Sequence, residues 1–219
     1  MTDAVLVLRH GERRDSVEEN WRETAERIHD PGLTDRGRRQ ADRAAERLRE
    51  TGVEEIYASP FLRAIQTASP VADALDLPVR VEPGLGEHLN PAWFDAHPEV
   101  LGREERVERF PRTDVEHRPL LEPTFPEDAA DAERRIGETA RRIVDSTSAR
   151  RVLFVGHGAT VGGVAHGLVG SAEAVDAPLC GLTELVRDGG GEGGENGNRN
   201  GDEWRVEWSG DVAHLDDGA

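Results

Sequence analysis

The chain has 219 residues, with 44 acidic side chains against 27 basic ones and a formal charge of −17. That length suits one large domain able to bury a three-layer core, and the lack of a basic field argues against a partner held by a phosphate backbone, so no nucleic acid is expected. No run reaches the roughly 18 to 20 apolar residues of a membrane span, and the single cysteine, Cys180, permits neither an internal disulfide nor a cysteine-built metal cluster.

Met1-Thr2-Asp3 leads directly into a strand-like segment rather than a basic and then apolar leader, which points to the cytoplasm. Every basic residue is arginine. An acidic, lysine-free surface stays solvated at high salt, so a halophilic cytoplasm is expected.

In chain order, Ala4 to Leu8 is a short, partly β-branched apolar run ending at a charged, glycine-containing turn, which predicts a buried strand delivering Arg9 and His10 to its end. After a polar loop, Thr34 is placed to cap a helix whose small or apolar positions Gly37, Ala41, Ala44, Ala45 and Leu48 recur at three and four; Gly52 ends it. Val53 to Ala58 reads as a second strand. Ser59-Pro60 then offers an N-cap and a first-turn proline for a helix to about Leu75, and Val79 to Val81 is a third strand.

Residues 87–126 are proline-rich, with scattered aromatics and no sustained period, and predict an irregular cap over one end of a sheet. A long helix from Glu127 carries Ala132, Ile136, Ala140, Ile143 and Val144 on one face. The apolar strand Val152 to Val155 and a glycine-rich helix from about Ala159 to Val169 follow. Glu184 to Arg187 and Trp204 to Trp208 alternate as antiparallel strands, and residues 188–202 between them are low-complexity and expected to be disordered. The expectation is an α/β fold: a single domain over 1–219, a three-layer α/β/α sandwich with a mostly parallel central sheet, the 87–126 cap and a C-terminal antiparallel hairpin.

Four segments fall at the C-terminal ends of predicted strands, where open α/β sheets bind ligands. They are Arg9-His10-Gly11, Ser59-Pro60-Phe61-Leu62-Arg63, Gly84-Leu85-Gly86-Glu87 and Gly156-His157-Gly158. An Arg-His-Gly triplet alone is weak. Together with Ser-Pro-x-x-Arg-x-x-Gln-Thr-Ala at 59–68, a second Gly-His-Gly and Leu33-Thr34-x-x-Gly37-x-x-Gln40-Ala41, the chain resembles the histidine phosphatase superfamily, which includes cofactor-dependent phosphoglycerate mutases.

That resemblance implies a site of His10, Glu87, His157, Arg9 and Arg63. A neutral imidazole at His10 would take the phosphoryl group covalently. Arg9 and Arg63 would clamp phosphate with planar forks that lysine cannot reproduce. His157 would donate to a phosphate oxygen beside a helix N-terminus, and Glu87 would protonate the leaving oxygen and then activate water, although the arginines would oppose its holding a proton. No cofactor is implied, and no His-Glu-x-x-His or carboxylate-rich loop suggests a metal. The partner would be a small-molecule or phosphorylated-residue phosphomonoester; oligomeric state is left open.

Arg13, Ser16, His88 and Trp93 are candidate substrate contacts, with Asn90 and His97 nearby in the cap. Arg13 reads equally as a solvated charge, and the cap residues as surface loop. His166 lies nine residues after His157, half a turn round a helix, and reads as structural. Many family members carry Ser or Thr and Asn where this chain has Arg13 and Ser16, and mutases follow the acid with Arg-His-Tyr-Gly, where this chain has His88-Leu89-Asn90. Arg9-His10-Gly11-Glu12-Arg13-x-Asp15 and Val81-Glu82-Pro83-Gly84-Leu85-x-Glu87 are similar instead to the phosphatase domains of the suppressor of T-cell receptor signalling proteins. The resemblance therefore implies a phosphomonoester hydrolase, histidine acid phosphatase-type, with mutase-type phosphoryl transfer or a non-catalytic phospho-ligand module as alternatives.

Overall fold

A computed structural model describes residues 1–173, 175–188 and 203–216. The strands are β1 (Ala4–Arg9), β2 (Glu55–Ala58), β3 (Val79–Val81), β4 (Arg151–Gly156), β5 (Leu182–Arg187) and β6 (Trp204–Asp211). They form one sheet in the order β3-β2-β4-β1-β5-β6. The pairs β3-β2, β2-β4 and β4-β1 are parallel, and β5 and β6 close the other side as an antiparallel hairpin. The helices are α1 (Trp21–Thr24), α2 (Asp35–Leu48), α3 (Leu62–Leu75), α4 (Arg103–Arg109), α5 (Ala129–Ser146) and α6 (Gly158–Val169).

Successive strand side chains point to opposite faces, so each strand feeds two cores. Leu6 and Leu8 of β1 join Ala44 and Leu48 of α2 and Ile65 and Ala68 of α3. Val5 and Val7 join Ile136 and Ala140 of α5 and Val161 and Val164 of α6. This is the expected three-layer α/β/α sandwich. On the second face α5 and α6 touch backbone to backbone: a β-carbon on Gly137 would stand 2.9 Å from Gly167 Cα, so glycine is what lets them close.

Four local expectations are corrected. Thr34 does cap α2, accepting from Gly37 N at 2.9 Å, but Ser59 does not cap α3. That helix starts at Leu62 behind an extended Phe61; its first N–H donates 2.7 Å to Asp30 Oδ1, an acceptor brought from another loop. The 87–126 cap is not wholly irregular, since α4 crosses it; its charged, two-turn sequence shows no apolar stripe because none of its residues is fully buried. Strand β2 begins at Glu55 rather than Val53, and α5 at Ala129 behind Asp128, whose carboxylate accepts from Asp131 N.

The cap is anchored by the buried carboxylate of Glu82, which accepts from Leu120 N at 2.9 Å, Leu121 N at 3.3 Å and His117 Nε2 at 3.1 Å. The expected disorder of 188–202 falls, apart from Asp188, outside the described residues. Among the described residues no helix is long and apolar enough to cross a membrane.

Candidate active site

Strands β1, β2 and β4 run parallel, so the residues after their C-terminal ends share one sheet edge. His10 follows β1, Ser59 follows β2 and His157 follows β4. The His10 and His157 rings lie 5.4 Å apart, edge to face, and both are buried. His10 Nδ1 donates 2.8 Å to Gly11 O, which puts the proton on that nitrogen and leaves Nε2 with its lone pair. Burial first, and then the Arg63 guanidinium, hold His10 well below the usual imidazole range. His157 is lowered in the same way by burial, Arg63 and His10.

Ser59 Oγ meets His157 Nε2 at 2.7 Å and accepts from Phe61 N at 3.4 Å. His157 Nδ1 lies 3.4 Å from Glu87 Oε2. A carboxylate beside Nδ1 accepts and does not donate, which favours hydrogen on His157 Nδ1 and leaves Nε2 to accept from the Ser59 hydroxyl. Arg63 is buried, stacks over Phe61 at 4.5 Å, and reaches the same Glu87 oxygen at 3.5 Å through Nη2. Arg9 is fixed by a bond from Nη1 to Ala177 O.

Four buried donor or ring-nitrogen atoms of these residues have no hydrogen-bonding partner among the described residues: Arg9 Nε, Arg63 Nε and Nη1, and His157 Nδ1. Burying unpaired donors is costly, and the guanidiniums of Arg9 and Arg63 both act on His10 and His157, so the group suits an anion. Gly158 and Ala159, in the first turn of α6, line the same cleft and add the positive end of a helix.

The loop holding His10 is pinned by the recurring motif residues. Gly11 N donates to Thr67 Oγ1, Glu12 N to Gln40 Oε1 and Thr34 N to Glu12 O. Leu33 N donates to Gln66 Oε1 at 2.7 Å. Gly11 and Gly37 pack so closely that a β-carbon on Gly11 would sit 2.7 Å from Gly37 O. The backbone N–H of Cys180 holds His10 O at 3.1 Å, while burial pushes the Cys180 thiol up to about 12 and leaves it inert.

The cleft has a volume of about 860 Å³, and its lining includes three aromatic side chains, Trp21, Phe94 and the exposed Trp93. Arg13 lines it, bridged to Asp15 at 3.1 Å. So does His88, whose ring packs on Trp93 at 5.4 Å and whose Nε2 donates to Glu127 O. Ser16 is not brought in: it is exposed and its hydroxyl donates to Arg13 O. Asn90 turns onto Ala92 N, and His97 lines a separate chamber of about 320 Å³. His166 faces solvent on α6, 3.5 Å from Glu133. Among the described residues no group of three or more His, Cys, Asp or Glu side chains could hold a metal ion.

Sequence reasoning missed three groups. Thr160 Oγ1 accepts from His157 N and donates to Leu85 O at 2.9 Å, joining two site loops. Asp30 caps α3, the helix that carries Arg63. The Glu127 and Arg135 pair holds the loop of Glu87. Only the first had a signal, a threonine three residues after a histidine that stands beside an expected helix N-terminus.

Curated relatives and solved structures resemble this chain over most of its length. The chain is 30% identical over 225 residues to a probable phosphoglycerate mutase GpmB of Yersinia enterocolitica, covering 97% of this chain and 94% of that one. Its fold is similar to that of the ecdysone phosphate phosphatase of Bombix mori in complex with tungstate, with a TM-score of 0.72 and 24% identity over 84% of this chain and 88% of that one. It is also similar to a mycobacterial glucosyl-3-phosphoglycerate phosphatase in complex with VO3, with a TM-score of 0.63 and 23% identity over 96% of this chain and 100% of that one. The profile of the histidine phosphatase superfamily, branch 1, matches residues 5–195, and the chain belongs to that superfamily.

Proposed function

We propose that this protein hydrolyses phosphomonoesters through a covalent phosphohistidine on His10. The observation that carries the reading is the set of unpartnered donors from Arg9, Arg63 and His157 beside a buried, neutral imidazole. His10 Nε2 attacks phosphorus while the bond to the ester oxygen breaks. Arg9, Arg63 and His157 Nδ1–H hold the equatorial oxygens as charge spreads over them. Glu87 gives its proton to the departing oxygen; it then takes a proton from the water that attacks the phosphohistidine, releasing phosphate and restoring His10. No step calls for a cofactor.

The aromatic lining supports a bulky leaving group, in line with the motif similarity to the suppressor of T-cell receptor signalling phosphatase domains. We place all of residues 1–219 in this single domain, with 87–126 as its cap, and infer a salt-rich cytoplasm from the acidic, lysine-free surface. Mutase-type transfer is the second reading, favoured by the relatives named probable phosphoglycerate mutase.

Turnover of p-nitrophenyl phosphate at high salt, with and without EDTA, tests the first reading. Hydrolysis insensitive to chelation and abolished in H10A is expected; loss of activity with EDTA refutes the metal-free mechanism. Isomerised phosphoglycerate, stimulated by a bisphosphate primer, would favour the second. Tight binding of a phosphorylated ligand by a wild type that turns nothing over would mark a non-catalytic module.

A further inference from the structure

Glu87 sits on a loop with no regular structure from Gly86 to Asn90, yet its carboxylate must meet an ester oxygen. One pair of side chains supplies the missing rigidity. Arg135, on α5, forms a two-pronged ion pair with Glu127: Nε to Oε1 and Nη2 to Oε2, both at 2.7 Å, with both side chains more than nine-tenths buried. The remaining donors go to the acid loop. Nη1 donates to Gly84 O at 2.9 Å and Gly86 O at 3.3 Å, and Nη2 to Glu87 O at 3.1 Å.

A guanidinium has five N–H donors, and all are engaged, with Nη1 also 3.5 Å from Pro83 O. Glu127 completes the grip: Leu89 N donates to its Oε2 at 3.3 Å, its own N–H donates to Leu89 O at 3.1 Å, and His88 Nε2 donates to its carbonyl at 3.0 Å. Every residue from Gly84 to Leu89 except Leu85 is thus tied to this pair, and Leu85 O is taken by Thr160.

We infer that Arg135 and Glu127 are positioning residues for Glu87, fixing where its carboxyl meets the leaving oxygen. The inference rests on the reading of Glu87 as the acid. The pair is neutral as a whole, so it clamps the loop without adding net charge beside the acid. Lysine could not substitute: it has three donors on a point charge, too few and too mobile to span Glu127 and three carbonyls.

The variants R135K and E127Q, alone and combined with E87Q, test this, with kcat/KM measured on two aromatic esters and folding checked by near-UV circular dichroism. Benzyl phosphate releases a poor leaving group that needs a proton; p-nitrophenyl phosphate releases a good one. Folded R135K is expected to lose about 10²-fold on benzyl phosphate and less than about 10-fold on p-nitrophenyl phosphate, the pattern of a misplaced general acid. E127Q, which keeps the guanidinium but turns one of its two carboxylate acceptors into an amide donor, loses in the same sense by about 10-fold on benzyl phosphate and remains informative should R135K fail to fold. Adding either change to E87Q leaves both rates within about 3-fold of E87Q alone, because the residues act as one unit.

Amide hydrogen exchange gives a readout free of turnover: exchange over 84–89 should rise in whichever variant folds, while 9–13 and 59–63 stay as in wild type. Equal losses on the two esters, additive losses with E87Q, or unchanged exchange over 84–89 overturns the inference. Absence of leaving-group discrimination between wild type and E87Q overturns instead the acid reading beneath it.

Discussion

Replacing Asp30 with Asn changes the pH dependence of stability in a direction the structure fixes. Asp30 is 3% exposed; its Oδ1 accepts from Leu62 N and its Oδ2 has no hydrogen-bonding partner among the described residues. Burial, only partly offset by that bond and by Arg63, raises its carboxyl from 3.8 to about 6. A raised folded-state value means the native protein binds the proton more tightly than the unfolded chain. The resulting stability is complete below pH 3.8 and is lost as pH rises through about 6.

At about 1.4 kcal/mol per pH unit, the ionised carboxylate costs the native state about 3 kcal/mol at neutral pH. Asn keeps the acceptor for Leu62 and carries no charge. D30N should match wild type near pH 4 and exceed it by about 3 kcal/mol near pH 7.5, read by urea melts across that range. His10 and His157 act oppositely: held well below the imidazole range, they remove stability as pH falls below about 6.5, by about 1.4 kcal/mol per pH unit each. D30N removes the counterweight, so its acid-side loss is steeper than that of wild type. A difference between the two proteins that does not vary with pH refutes the reasoning.

In S59A, His157 Nε2 loses its donor in a buried site. Stability should drop by about 1–3 kcal/mol and kcat/KM by about 10-fold, and 15N NMR should show the Nδ1–H tautomer less dominant; an unchanged tautomer contradicts the assignment. A β-carbon at Gly37 would stand 2.9 Å from Glu12 N. G37A should therefore cost about 1–3 kcal/mol by overpacking and about 10²-fold in kcat by displacing the His10 loop, with kcat near wild type as the contrary result. Trp93 is 55% exposed and lines the cleft. W93A should raise KM for p-nitrophenyl phosphate by up to about 10-fold while leaving glycerol 2-phosphate unchanged; equal effects on both would mean Trp93 does not contact the leaving group.

Sequence carried most of the architecture because burial imposes a period. The alternation of Val5 and Val7 with Leu6 and Leu8 serves two cores at once, and Thr34 caps α2 as its position implies. Ser59 was misread for a physical reason: a serine before a proline is an ordinary N-cap, and nothing local reveals that a histidine 98 residues away claims its hydroxyl. The placing of Arg9, His10, Arg63 and His157 at one sheet edge was legible because each ends or follows a strand or lies in the first turn of a helix there.

Asp30, Glu127 and Arg135 were not legible, because the loops they hold are reached through backbone groups distant in sequence. Leu62 N lies 32 residues from Asp30, and Gly84 O lies 51 from Arg135. Backbone carbonyls leave no mark on the amino-acid pattern. For α4, seven residues with none fully buried lack the apolar stripe that makes a helix readable.

Rapid-quench of the enzyme with 32P-labelled phosphomonoester, followed by alkaline digestion and peptide mapping, tests the covalent step directly. Acid-labile, base-stable phosphate on His10, formed and consumed at rates matching turnover and missing in H10A, is the predicted result. Sustained turnover with no phosphohistidine on His10 contradicts it.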